Sequence, residues 1–155
     1  MEATGLNLNI VLVEPEIPNN TGNIGRLCVG ANCHLHLIEP LGFELSDKRV
    51  KRAGLDYWPD LKLTVHKNID LWLDEVEDVS RMFFFSAKAR KPYFDIKFQQ
   101  GDWLIFGKES VGLGQGLLNY YENQCVTIPF PGKVRSFNLS NAVAMSLGEA
   151  MRQLM

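Results

Sequence analysis

Disulfide chemistry, long apolar runs and an excess of basic charge are all missing from this chain. Its three cysteines, Cys28, Cys33 and Cys125, are an odd number and form no C-x-x-C pair. That argues against a disulfide framework, a zinc ribbon or thioredoxin-like redox chemistry, and fits a reducing compartment. No apolar run approaches the roughly 18 residues that a spanning helix requires, since even Met82 to Phe85 is broken by Ser86 and Lys88. Met1 to Asn9 has neither a basic n-region nor a long apolar core, so no secretory signal is read there and a cytoplasmic location without membrane insertion is expected. Sixteen basic against eighteen acidic residues give a net charge of -2 and a pI near 5.9. Any polyanion must therefore be gripped locally rather than by the whole surface.

Familiar cofactor and nucleophile signatures are missing too. The pattern G-x-x-x-x-G-K-S/T would need glycine at Asp102, and Lys108 is followed by Glu109. Gly112, Gly114 and Gly116 run as G-x-G-x-G, not as the dinucleotide fingerprint G-x-G-x-x-G. His34, His36 and His66 lack metal-ligand spacing, so no metal site is expected. No serine or cysteine sits in a nucleophile elbow.

What is present is a mixed α/β pattern. Asn9-Ile-Val-Leu-Val-Glu14 is the near-continuous hydrophobic run of a strand buried on both faces of a parallel sheet. Thr21 to Asn32 places Ile24, Leu27, Cys28 and Ala31 at helical spacing, with Asn20 or Thr21 as the cap. Further strands are predicted at His34–Ile38, Lys62–His66, Arg81–Ser86, Asp102–Gly107 and Cys125–Pro129, and a short helix at Ile69–Val76. The last element, Leu139 to Met155, is predicted as a helix with Leu139, Val143, Leu147, Met151 and Leu154 on one side. Strands separated by helices make a mostly parallel sheet with flanking helices, and no repeat or linker divides residues 1–155, which are expected as a single domain.

In such a sheet, ligands collect at the carboxyl ends of strands. The loop after the first strand, Glu14-Pro-Glu-Ile-Pro-Asn-Asn-Thr-Gly-Asn-Ile-Gly-Arg26, taken alone reads as a capped helix start with a solvated arginine. Gly107-Lys-Glu-Ser-Val-Gly-Leu-Gly-Gln-Gly116 reads equally as a structural glycine turn or a ligand loop. In Pro129 to Asn141, Ser136, Asn138, Ser140 and Asn141 crowd a helix start where one cap suffices, and Lys133 and Arg135 lie beside them, which favours a binding site. Lys48-Arg-Val-Lys-Arg52 is either a phosphate contact or a solvated helix face, and Lys88, Arg90 and Lys91 with Tyr93 and Phe94 form a second basic and aromatic patch.

Three segments in order, Asn20-Thr-Gly-Asn-Ile-Gly-Arg26, Phe106-Gly-Lys-Glu-Ser-Val-Gly-Leu113 and Ile128 to Asn141 with its Arg135-Ser-Phe-Asn-Leu-Ser-Asn run, resemble the three motifs of the SPOUT RNA methyltransferases. Glu14-Pro-Glu-Ile-Pro, Leu37-Ile-Glu-Pro-Leu-Gly-Phe43, Asp47-Lys-Arg and Arg52-Ala-Gly-Leu-Asp-Tyr57 further resemble the small single-domain branch that methylates the ribose of the tRNA wobble nucleotide, position 34, cytidine or uridine. The likeness runs from Asn9 to Leu154.

This resemblance implies a SPOUT-like α/β domain with a deep C-terminal trefoil knot, an exception to the general avoidance of threaded loops. It implies S-adenosyl-L-methionine held largely by backbone around Phe85, Gly107, Ile128, Ser136 and Phe137, and a homodimer through the C-terminal helix with the active site completed across the interface. Two copies of each modest basic patch would then reconcile an acidic chain with a tRNA substrate, with Lys48, Arg49, Lys51, Arg52, Lys88 and Arg90 as the RNA contacts. The family assigns activation of the 2′-hydroxyl to the first-motif arginine, here Arg26. A guanidinium stays protonated in proteins, so stabilising the developing alkoxide or orienting the phosphate is the role expected of it. Asn20, Glu109, Arg135, Ser136 and Asn138 are expected to support substrate and loop geometry. Two departures stand out: Gly148-Glu149-Ala150 where the branch commonly has Tyr-Glu-Ala, and a loop after Gly112 about one residue shorter. The competing readings are a 2′-O-methyltransferase for another tRNA or rRNA nucleotide, and a non-catalytic RNA-binding module of the same fold.

Overall fold

The computed structural model describes residues 6–155, apart from the side chains of residues 54 and 55. Part of the signal reading at Met1 to Asn9 thus lies outside the described residues. Six parallel strands form one sheet: β1 (Asn9–Val13), β2 (His34–Ile38), β3 (Lys62–His66), β4 (Met82–Phe85), β5 (Trp103–Phe106) and β6 (Cys125–Val126), in the spatial order β3-β2-β1-β5-β4-β6. The helices are α1 (Pro18–Ala31), α2 (Lys48–Gly54), α3 (Ile69–Glu75), α4 (Gln115–Tyr120) and α5 (Leu139–Leu154).

The uninterrupted apolar run of β1 is explained by its place in the middle of the sheet, between β2 and β5. Ile10 and Leu12 point to a core shared with Ile24 and Cys28 of α1 and with Leu139, Val143 and Leu147 of α5. Val11 and Val13 point to a second core with Trp72 of α3 and Leu118 of α4. Both faces are covered, as an all-parallel sheet demands. Among the described residues no helix is long and apolar enough to cross a membrane.

Several expectations are corrected. The first strand stops at Val13 because Glu14 takes a left-handed φ of 52°. Helix α1 starts at Pro18, whose fixed φ and missing N–H suit a first helical position, and neither Asn20 nor Thr21 is its cap. Both are buried inside the helix's first turns. The strand expected over Cys125–Pro129 is two residues long, and Arg81 leaves β4 to bind Asp102 through Nε and a terminal nitrogen, 2.7 Å each. Asp102 is fully buried, and it also accepts the Gln99 N–H at 2.8 Å.

The apolar stripe of α5 is not a free face. Leu139, Val143 and Leu147 are buried in their own chain's core, and Met151 and Leu154 pack against it. The exposed side of α5 carries Asn141, Ala144, Met145 and Gly148 instead.

Candidate active site

The carboxyl ends of β1, β4 and β5 meet beside the loop that follows β6, and there the chain encloses a cavity of about 820 Å³. Its apolar surfaces come from Phe85, Phe106, Ile128 and Leu139, with the Phe85 and Phe106 rings stacked 4.6 Å apart. Gly107 is held so tightly against the turn at Gly112 that a Cβ would strike the backbone of Gly112 and Leu113. The turn itself is closed by the Gly112 N–H bonding to the Lys108 carbonyl at 2.8 Å, and Gly112 has a φ of +72° that disfavours any side chain.

Polar groups from all three sequence motifs converge at this cavity. Glu109 accepts hydrogen bonds from the backbone N–H groups of Glu16 and Ile17, both at 2.8 Å, and from Asn20 Nδ2 at 3.2 Å. Helix α1 has no acidic residue in its own first turn. A carboxylate 92 residues away supplies that negative charge, where the exposed N–H groups and dipole of a helix start favour it. Asn20 then accepts from Asn138 Nδ2 at 3.3 Å. Asn138 Oδ1 in turn caps α5, taking the Ser140 N–H at 2.9 Å and the Asn141 N–H at 3.3 Å. Glu109, Asn20 and Asn138 thus form one line of hydrogen bonds that ties the turn after β5 to the starts of α1 and α5.

Expected cofactor residues Phe85, Gly107, Ile128, Ser136 and Phe137 all line the cavity, as do Asn20, Glu109, Arg135, Asn138 and Lys88. Arg26 does not. It is exposed, lies in a separate groove of about 550 Å³ between α1 and α5, and stands over the Tyr57 ring, 5.1 Å from its centroid. Lys48, Arg49, Lys51 and Arg52 are exposed on α2, and Arg49 is engaged by Asp47 at 2.9 Å. Arg90 is exposed beyond β4, near the cavity-lining Lys88 in sequence.

Two groups of polar residues escaped the sequence reading. Glu16 accepts the Ser110 N–H at 2.8 Å, and the Ser110 hydrogen bonds hold its carboxyl below the usual range. On the opposite sheet face, His66 Nε2 meets His36 Nδ1 and His36 Nε2 meets Asn9 Oδ1, each at 3.0 Å. Asn9 donates its amide to the Gly101 carbonyl, so its oxygen must accept and His36 carries its proton on Nε2. Burial pushes His36 down to about 3. Strand alternation, which places His34 and His36 on one face, was the only available hint. Burial also raises the thiols, Cys33 to about 11, which leaves them unreactive.

Helices on both faces of a parallel sheet, with a partly apolar cavity at the strand ends, define the doubly wound α/β class. More narrowly, residues 7–148 match the SpoU rRNA Methylase family, and the chain belongs to that family. It is 48% identical over 147 residues to a tRNA (cytidine(34)-2'-O)-methyltransferase of Burkholderia cenocepacia, covering 94% of each chain. A solved structure described as giving insights into the 2-OH methylation of C/U34 on tRNA superposes with a TM-score of 0.92 at 44% identity, covering 97% of this chain and 98% of the other. The SpoU methyltransferase AviRb from Streptomyces viridochromogenes, in complex with the cofactor AdoMet, aligns with a TM-score of 0.81 at 25% identity, over 94% of this chain and 57% of that one.

Proposed function

We propose that the protein is a tRNA (cytidine(34)-2'-O)-methyltransferase that transfers the methyl group of S-adenosyl-L-methionine to the ribose 2′-hydroxyl of C34 or U34. The observation that carries this reading is the hydrogen-bonded line Glu109, Asn20, Asn138 at the rim of a cavity with apolar walls, in a chain nearly half identical to such an enzyme. A cytoplasmic location goes with a tRNA substrate.

The residues present fit the cofactor. The cavity is of the size that takes a ligand this large, its stacked aromatic wall suits a purine, and every residue of the turn from Gly107 to Gly112 lines it. Phe85, Gly107, Ile128, Ser136 and Phe137 would hold it. Once bound, S-adenosyl-L-methionine supplies a methyl carbon made electrophilic by the sulfonium. The protein's task is then to align the ribose hydroxyl in line with that carbon and to manage one proton. A guanidinium has donors and no acceptor, so Arg26 would stabilise negative charge on the 2′-oxygen or hold the adjoining phosphate, and the proton would leave for another acceptor. Arg135 and Ser136, exposed where they line the cavity, would meet the nucleotide, while Asn20, Glu109 and Asn138 would keep the turn after β5 in register with the starts of α1 and α5.

Two further readings belong to the same proposal. The loops after β4, β5 and β6, which surround a single cavity, are read as the deep trefoil knot of the family. A homodimer is supported by the groove between α1 and α5, whose lining includes Arg26, Ala144, Gly148 and Met151. Because Arg26 lies outside its own chain's cavity, a second protomer on that groove would complete the site. The RNA contacts would be Lys48, Arg49, Lys51, Arg52, Lys88 and Arg90.

Ribose-methylation mapping of tRNA from cells with and without the protein tests the reading directly. Loss of the 2′-O-methyl at position 34 alone is expected. Unchanged methylation at position 34 would overturn it.

A further inference from the structure

The segment after β1 and the turn after β5 grip each other through alternating residues. Glu14 faces Lys108 at 3.7 Å, Glu109 takes the N–H groups of Glu16 and Ile17, and Glu16 takes the N–H of Ser110 at 2.8 Å. On its other side Glu16 is seated against the loop after β2. The Gly42 N–H bonds to the Pro15 carbonyl at 2.9 Å, and a Cβ on Gly42 would lie 2.8 Å from the Glu16 Cα. Glu16 therefore links a fixed backbone on one side to Ser110 on the other, and Ser110 lines the cavity together with Lys108 and Glu109. The resemblance to known methyltransferases gives Glu16 no role.

Resting on the cofactor reading above, we propose that Glu16 is a positioning residue: by holding the Ser110 N–H, its carboxylate sets the Lys108–Gly112 turn that walls the S-adenosyl-L-methionine cavity. What matters is reach as well as charge. A carboxylate one methylene shorter cannot span the gap, whereas a neutral amide of the same length still offers an oxygen to the Ser110 N–H.

Glu16→Asp and Glu16→Gln, each compared with the native protein, separate these contributions. The measurement is cofactor affinity by titration calorimetry with S-adenosyl-L-methionine, alongside tRNA affinity measured without cofactor. Glu16→Asp should bind the cofactor roughly tenfold more weakly, the scale of one lost charge-assisted hydrogen bond. Glu16→Gln should stay within about threefold of the native value, because the contact survives while its charge is lost. tRNA affinity should be unchanged in both. Full affinity in Glu16→Asp with a large loss in Glu16→Gln would show that charge beside Lys108 is what counts and would overturn the proposal, as would full affinity in both. Should Glu16→Asp fold poorly, Ser110 amide hydrogen exchange in Glu16→Gln decides: protection as in the native protein is expected, and its loss is the contrary result. If the native protein itself binds no S-adenosyl-L-methionine, the functional reading fails, and the exchange measurement still reports on the clamp.

Discussion

Arg26 lies over the ring of Tyr57, 5.1 Å from its centroid, and so faces the groove between α1 and α5 and not the cavity of its own chain. A guanidinium held against an aromatic face keeps its charge and its plane while gaining about 0.5–1 kcal/mol at an exposed site. The role proposed for Arg26 asks for such a posture.

Replacing Arg26 by alanine should lower kcat by roughly 10²–10³, the scale of losing one preorganised donor, and leave cofactor affinity intact. Arg26→Lys should recover little, since an ammonium lacks the planar fork. Single-turnover methylation with saturating tRNA measures both. Near-normal turnover in Arg26→Ala would move the role to another residue, with Arg135 the next to test.

Gly107→Ala should abolish cofactor binding, because the added Cβ has no space against the backbone of Gly112 and Leu113. In the native protein, S-adenosyl-L-methionine at 100 times its Kd should stabilise the fold by about 2.7 kcal/mol. Thermal unfolding with and without ligand reads the two effects. A native-sized shift in Gly107→Ala would disprove the role of this turn.

His36 is pushed from 6.5 down to about 3 by burial, and His34 and His66 are also lowered by burial. The folded state thus resists protons that the unfolded chain accepts. The contribution of His36 is complete above about pH 6.5 and is lost as the pH falls toward 3, at up to about 1.4 kcal/mol per pH unit, and His34 and His66 act in the same direction. Glu75, 3.5 Å from His66 Nδ1, opposes the effect at His66, and Lys62 adds to it at His34. Urea unfolding at pH 7, 6 and 5 should show a steeper decline for the native protein than for His36→Gln. Parallel declines would count against the histidine chain as the source.

Lys51→Ala and Arg52→Ala remove exposed charges from α2. Each should weaken tRNA binding and reduce the slope of log affinity against log salt by roughly 0.7–0.9, with the chemical step unchanged. Filter binding over a salt series decides, and an unaltered slope would mean that α2 does not touch phosphate.

Much of this was legible because strand runs and motif order are local properties. The β1 run from Asn9 announced a doubly buried strand, and the resemblance of the segments around Asn20, Glu109 and Asn138 to the motifs of one family is what grouped them. What escaped depended on partners distant in sequence. Asn20 reads as a helix cap until Pro18 begins the helix and Glu109 supplies charge from 92 residues away. The α5 stripe reads as one apolar side of a helix, and only the fold shows that it is the sheet that claims it. Asp102 reads as a strand-end charge until Arg81 arrives to neutralise it in the core.

The position of β1 bears on synthesis as well as on architecture. Its partner on one side, β2, leaves the ribosome within a few tens of residues, while its partner on the other, β5, follows about 90 residues later. At roughly 5–20 residues per second, the central strand waits on the order of 5–20 s with one edge open. During that interval Ile10 and Leu12 also lack α5, the last element made. A nascent chain that ends before β5 can pair β1 with β2 and β2 with β3 only, which leaves one edge of an apolar strand open. Substitutions that raise the β-propensity of residues 9–66 should then increase aggregation during translation even where they leave the finished enzyme untouched.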